Sequence, residues 1–418
     1  MNYRKLMTSA LLAMVLQTSA QTPAYVGGDI SLLPTYEEHG ANYMDKDGQK
    51  IADLLTFMKE QGMNAMRVRL FVDPSRAPAE HKGQGVRQDL DYVKALGKRI
   101  KDAGLKFMLD FHYSDTWADP SKQATPYLFK TVDTPPTSYI YTYTKDCLEQ
   151  LVATGATPDF IQTGNEISWG MMYDSNCQLE AKSDWSGYKD TNWELFSTAL
   201  KNAGKACREV CPEAKIIIHT EQVKNTPLVT DYYKRLQQYG VDYDIIGTSY
   251  YPYYHGNLTQ LDKTLTAFET QFPDKRIMVV ETGCAYHYKV GDTDTGYPLT
   301  YEGQRQFTAD LIKTLKAHQR VNGLFWWFPE ANEYGLDWNT KRVTDHWYNA
   351  GLFDNETGRA LPALYELKNF SGGSTGLGSI STDRPSADNW YTIGGMRSLD
   401  GPTQSGIYIH NGLKVAVR

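Results

Sequence analysis

The segment Ile161–Gly170, IQTGNEISWG, ends an apolar run with an amide and a carboxyl side by side, Asn165 and Glu166. A second apolar run, RIMVVET, carries Glu281 near its end. Removing a carboxyl from water costs free energy, so two of them at the ends of buried runs need a reason to be there. Singly, each has a plain one. Glu166 suits the first turn of a helix, where negative charge is favoured, and Glu281 suits an ion pair with Arg67. As a pair they suit acid–base work on a C–O bond. A neutral carboxyl would protonate the leaving oxygen while a carboxylate about 5–5.5 Å away attacks the carbon.

Groups so far apart in the chain need a scaffold to bring them together. Eight runs rich in Val, Ile, Leu and Phe read as strands: AYVGGDI, NAMRVRLFV, KFMLDFHY, DFIQTG, KIIIHT, YDIIGTSYY, RIMVVET and GLFWWF. Amphipathic stretches separate them. In DLDYVKALGKRIKDAG, Leu90, Val93, Leu96 and Ile100 share one face and Gly104 stops the helix. YEGQRQFTADLIKTLKAHQ precedes the eighth run in the same way. Strands alternating with helices predict parallel βαβ units, and eight of them predict an α/β fold closed as a (β/α)8 TIM barrel. A doubly wound open sheet is the alternative, but no Gly-rich phosphate loop follows the first strand.

In such barrels the chemistry sits at the C-terminal ends of the strands. The polar residues there are Arg67 and Arg69 on the second strand, and Asp110, His112, Asp115, Trp117 and Asp119 on and after the third. The fourth gives Asn165 and Glu166, the sixth Tyr250 to Tyr254, the seventh Glu281 and the eighth Trp326 and Trp327. An Arg beside a nucleophilic carboxylate keeps it ionised. An Asn beside the acid can hydrogen-bond a sugar 2-hydroxyl. His112 also reads as a satisfied core histidine, much of the tyrosine run as packing, and the paired tryptophans as one facing inward and one facing the helices.

Together these features describe a glycosidase, and six segments carry a closer resemblance. They are GMNAMRVRLFVDP, DFHYSDTWADPSKQATP, QTGNEISWG, TSYYPYYHG, VVETGCAY and GLFDNETGRALPAL, spread from about Val26 to about Leu364. The chain resembles the arabinogalactan endo-β-1,4-galactanases of glycoside hydrolase family 53, within a large clan of retaining barrel enzymes. The resemblance implies Glu166 as acid/base and Glu281 as nucleophile, supported by Arg67 or Arg69, His112 and Asn165. It implies Asp115, Trp117, Asp119, Tyr250, Trp327 and Trp347 as residues that contact sugar or shape its subsites. The implied partners are β-1,4-galactan (type I arabinogalactan) and galacto-oligosaccharides. One departure is visible. Where the family usually reads Trp-Glu-Pro, this chain has Trp327-Phe328-Pro329, with Glu330 one step late. No cofactor is required by this chemistry. Some bacterial members hold calcium in loops after the last strands, and Asp292 and Asp294 in KVGDTDTGYP are the candidate ligands, with solvated turn formers as the alternative.

The remaining composition sets the context. Of 418 residues, 41% are hydrophobic and 22% charged, enough for one large core with a small appendage. The net charge of −6, without a basic cluster, argues against nucleic acid as a partner. The 29 Tyr and 9 Trp exceed core needs and suit sites that grip sugar rings. At the N-terminus, Arg4 and Lys5, the apolar run Leu6–Leu16 and Thr18-Ser19-Ala20 predict a signal peptide over 1–20. Export to the periplasm, the cell surface or the medium follows, with no transmembrane segment later in the chain.

The catalytic domain is expected over 21–370 and a Gly/Ser/Thr-rich linker over 371–386, followed by a small β segment over 387–418. That last segment resembles the C-terminal tails of some secreted bacterial proteins, where it serves export or attachment. Of the five cysteines, Cys207 and Cys211 are spaced to allow a bridge across one helical turn, with free buried thiols as the alternative. Two rivals to galactan hydrolysis stay open: action on another β-linked glycan such as xylan or mannan, and polysaccharide binding on an inactive barrel.

Overall fold

A computed structural model describes residues 23–172, 190–288, 290 and 294–372, together with 390–392, 397–398, 406–410 and 413–417. The expected signal peptide and nearly all of the expected linker lie outside the described residues. The chain forms two compact units, Met1–Ser371 and Gly372–Arg418.

The first unit is a closed barrel whose eight parallel strands follow chain order. They are β1 (Tyr25–Asp29), β2 (Ala65–Leu70), β3 (Lys106–Phe111), β4 (Phe160–Thr163), β5 (Lys215–Thr220), β6 (Ile245–Tyr250), β7 (Arg276–Thr282) and β8 (Val321–Trp327). All eight runs read from the sequence are present, two of them (β5 and β7) with the same ends. The helix Leu90–Asp102 begins at Asp89, whose carboxylate accepts from the Tyr92 amide, and it buries Val93, Leu96 and Ile100. Gly104, at φ +71°, turns the chain away from it.

The barrel interior is stacked in storeys. The lower one is apolar: Ala65, Met108, Phe160, Ile217, Ile245, Met278, Val280 and Phe325 pack together. Because side chains alternate with period two, the residue two steps further along each strand also points inward. That step turns Ala65 into Arg67, Met108 into Asp110, Phe160 into Gln162, Ile217 into His219 and Phe325 into Trp327. A polar storey therefore sits on an apolar plug, just below the C-terminal mouth. On β7 strict alternation from Met278 and Val280 would send Glu281 out toward the helices. A bulge prevents this: Thr248 pairs with Val279 but Ser249 pairs with Glu281, so Val280 is the extra residue and Glu281 turns inward.

The second unit is a four-stranded antiparallel sheet. Its strands are β9 (Trp390–Thr392), β10 (Arg397–Ser398), β11 (Gly406–His410) and β12 (Leu413–Val417), in the order β10-β9-β11-β12. Cys147, Cys207, Cys211 and Cys284 are free and buried, so the bridge between Cys207 and Cys211 does not form. Cys177 lies outside the described residues.

Candidate active site

Gly164 begins the turn out of β4 with φ +105°, a conformation that favours glycine, and Glu166 follows at φ +48°. The turn is gripped from two sides. Gln123 Nε2 donates to the Asn165 carbonyl at 2.9 Å, and Asn165 Nδ2 donates to the Ala118 carbonyl at 2.8 Å. The Ala118 amide donates to His112 Nδ1 at 3.1 Å. Burial holds His112 below its ordinary pKa, so the ring is neutral. Its hydrogen is then on Nε2, which lies 3.1 Å from Asp110 Oδ2. The distinctive SDTWADPSKQ segment is thus a buckle: it ties the loop after β3 to the turn that carries Glu166.

Arg67 is fully buried and is the hub of the polar storey. It lies 2.8 Å from Asp29, 2.7 Å from Asp110 and 2.8 Å from Glu281 Oε1, and it donates to Asn165 Oδ1 at 2.9 Å. Arg69 also points inward, paired with Asp29 at 2.6 Å. Its guanidinium is sandwiched 4.8 Å from the rings of Trp117 and Trp327 and 4.9 Å from Phe328. Both arginines face the site because they are two residues apart on one strand.

Glu281 receives a second contact on Oε2, from the Tyr251 hydroxyl at 3.2 Å. Among the described residues Glu166 has no ion pair with a cation; its Oε1 accepts from Ser249 Oγ at 2.7 Å. Burial raises the pKa of both carboxyls. At Glu281 the positive charge of Arg67 opposes the rise. At Glu166 the charges of Glu281 and then Glu221 add to it, opposed by the Ser249 hydrogen bond. Glu281 therefore ionises first, and Glu166 keeps its proton beside a charged neighbour.

Other expected residues fall out differently. Trp117 and Trp327 meet at 6.0 Å between ring centres. Trp347 packs on Tyr251 at 5.2 Å, beside the Glu281 contact. Asp119 lies close enough for its charge to raise Glu166 further. Asp115 is occupied: its two oxygens accept backbone amides of Asp73 at 3.1 Å and Tyr127 at 2.7 Å, which shapes the loop. Tyr250 points away from the mouth, with its ring stacked on Phe307 and its hydroxyl donating to Gly256, because it is out of phase with Ser249 and Tyr251. Trp326 likewise faces the helices, donating to the Ala350 carbonyl at 2.8 Å.

At the departure from the family pattern, Phe328 stacks on Trp327 at 4.3 Å and offers its face to Arg69. Glu330 is buried beneath, with Oε1 accepting from the Leu32 amide at 2.9 Å. Asp294 is exposed and closes its own turn by accepting from the Gly296 amide, and Asp292 lies outside the described residues. Among the described residues no cluster of three potential metal ligands occurs.

Several residues at the site were not assigned roles from the sequence: Asp29, Asp110, Gln162, His219, Glu221, Ser249 and Tyr251. Gln162 and His219 carried a signal, as polar residues inside otherwise apolar strands. Glu221 is buried just past β5, and its carboxylate accepts from Ser168 Oγ at 2.8 Å and Gln222 Nε2 at 2.6 Å. Burial pushes it up to about 7.

Proteins of known name are similar to this chain over most of its length. The chain is 30% identical over 391 residues to an arabinogalactan endo-β-1,4-galactanase of Cellvibrio japonicus, covering 86% of this chain and 95% of that protein. It is 26% identical over 378 residues to an endo-β-1,4-galactanase of Bacillus subtilis, covering 81% and 84%. The GH53 catalytic domain of Ignisphaera aggregans superposes with a TM-score of 0.72 at 31% identity, covering 84% of this chain and 98% of that one. The profile of glycosyl hydrolase family 53 matches residues 25–367, and the chain belongs to that family.

Proposed function

We propose that the protein is an endo-acting β-1,4-galactanase that cleaves galactan with retention of anomeric configuration. The observation that carries the mechanism is the contrast between two carboxyls, Glu281 buried and touching Arg67, and Glu166 half-buried and facing negative neighbours. In the first step Glu166 gives its proton to the glycosidic oxygen, the C1–O bond breaks, and Glu281 forms a bond to C1. In the second, Glu166 takes a proton from water, whose oxygen attacks C1 and releases Glu281. Trp117, Trp327 and Trp347 supply faces for the sugar rings at the open end of the barrel. Asn165 spends one N–H on Ala118 and keeps its second for the sugar 2-hydroxyl. The names of the related galactanases support galactan as substrate.

The N-terminal leader supports export, and amino-terminal sequencing of protein secreted by an expressing cell checks cleavage near Ala20. Incubation with galactan, xylan and mannan, followed by sizing of the products, tests the substrate. The expected result is a ladder of short oligomers from galactan alone. Oligomers from xylan or mannan instead, or binding without new reducing ends, contradict the reading. Glu281→Gln should leave binding nearly intact and abolish hydrolysis.

A further inference from the structure

Glu166 sits at φ +48°, a region that residues other than glycine seldom adopt, so its surroundings must hold it there. The imidazole of His219, fully buried on β5, does so at both ends of the residue. The Glu166 backbone N–H donates to His219 Nδ1 at 3.3 Å. On the other side of the ring, His219 Nε2 lies 2.8 Å from Ser249 Oγ, which lies 2.7 Å from Glu166 Oε1.

The hydrogen positions in this loop follow from what each group can do. A backbone N–H can only donate, and Gln162 Nε2 presents a second donor to Nδ1 at 3.0 Å. Nδ1 is therefore bare. Asn165 Oδ1, also 3.0 Å from Nδ1, accepts from Arg67 at 2.9 Å and needs nothing from the ring. Burial, followed by the charge of Arg67, holds His219 well below its ordinary pKa, so it is neutral and carries its hydrogen on Nε2. That hydrogen goes to Ser249 Oγ, and the serine hydrogen is left for Glu166 Oε1. An oxygen that accepts this hydroxyl is a poor place for the acidic proton, and no hydrogen bond to Oε2 is found among the described residues.

We propose that His219, acting through Ser249, is the positioning device of Glu166. It holds the backbone and carboxyl of that residue together and confines the transferable proton to Oε2, which delivers it to the leaving oxygen. The proposal rests on Glu166 being the acid/base. In the first step the Oε2–H bond breaks as the glycosidic oxygen takes the proton. In the second the same Oε2 receives one from water. The groups facing Glu166 are Glu281 from β7, Glu221 after β5, Asp119 from the loop after β3 and Tyr251 after β6. Against the three carboxyls, Ser249 supplies the hydrogen bond that favours the charged form of Glu166.

The test is the pH profile of kcat/KM on one galacto-oligosaccharide for the wild type, Ser249→Ala and Ser249→Thr, alongside Glu166→Ala. Removing a donor to the carboxylate raises the pKa of Glu166, so the alkaline limb of Ser249→Ala should move up by about one unit. The activity of that variant at its optimum should fall by about tenfold, a loss of about 1.4 kcal/mol in transition-state binding. Threonine keeps the hydroxyl and should keep the limb. Glu166→Ala should lose oligosaccharide hydrolysis and recover turnover of an activated aryl galactoside when azide is added. If Glu166→Ala behaves so and folded Ser249→Ala keeps the wild-type limb, the positioning proposal is overturned and the acid/base reading stands. If Glu166→Ala retains hydrolysis of the oligosaccharide, both fall. Nitrogen-15 NMR of His219 should show hydrogen on Nε2, and hydrogen on Nδ1 overturns the proposal.

Discussion

Arg67 lies 2.8 Å from Glu281, and that guanidinium is fully buried beneath the mouth of the barrel. It also holds Asp29 and Asp110, so three carboxylates share one cation. Arg67→Met should therefore damage stability and chemistry together. Leaving buried charges unpaired costs about 3–5 kcal/mol, which urea denaturation at pH 7 reads directly. In whatever fraction folds, the acidic limb of kcat/KM should move to higher pH, because Glu281 loses the charge that favours its ionised form.

Arg69 makes a different kind of contact. It pairs with Asp29 and is otherwise enclosed by the faces of Trp117, Trp327 and Phe328. Arg69→Lys keeps the charge and loses the flat surface on which the two indoles rest. Steady-state kinetics on galactan should show KM raised by about tenfold, with a smaller fall in kcat, since binding faces loosen while the carboxyl pair stays in place. An unchanged KM would remove Arg69 from any role in shaping the sugar site.

Tyr251 donates to Glu281 Oε2 at 3.2 Å. Tyr251→Phe deletes one hydrogen bond to a charged group and leaves the ring on Trp347. A loss of about 1.5–3 kcal/mol in transition-state binding is expected, or at least tenfold in kcat/KM, with little change in thermal stability.

Glu330 carries a stability prediction with a definite sign. Burial pushes its carboxyl up to about 8, and its Oε2 has no hydrogen-bond partner among the described residues. A carboxyl whose folded pKa is raised binds more protons in the folded state than in the unfolded one between about pH 4.3 and 8. Stability from this group is thus lost as pH rises through that window. Glu330→Gln keeps the acceptor for the Leu32 amide and removes the ionisation. It should raise Tm by roughly 2 °C or more at pH 9, with little effect at pH 4. Equal shifts at both pH values would contradict the assignment.

The barrel was readable because apolar runs and amphipathic stretches alternate eight times with little else between them. Glu166 and Glu281 were readable as carboxyls at strand ends, yet the inward aim of Glu281 depends on the bulge at Val280, which period-two counting does not reveal. The same counting explains Tyr250, which falls on the wrong face while Ser249 and Tyr251 take the right one. Asp115 was placed among sugar contacts by the family resemblance, and its oxygens accept backbone amides of its own and a neighbouring loop. His219 stood out as a polar residue in the apolar run KIIIHT, but nothing in that run says what it or Glu221 would touch. The relation of each to Glu166 exists only once the barrel closes.

One measurement addresses double displacement most directly: proton NMR of the first sugar released from a galacto-oligosaccharide, before mutarotation. The pairing of Glu281 with Arg67 and Glu166 with Ser249 predicts that the β-anomer appears first and that Glu281→Gln releases none. Initial appearance of the α-anomer would mean that water attacks C1 directly, and Glu281 would not be the nucleophile.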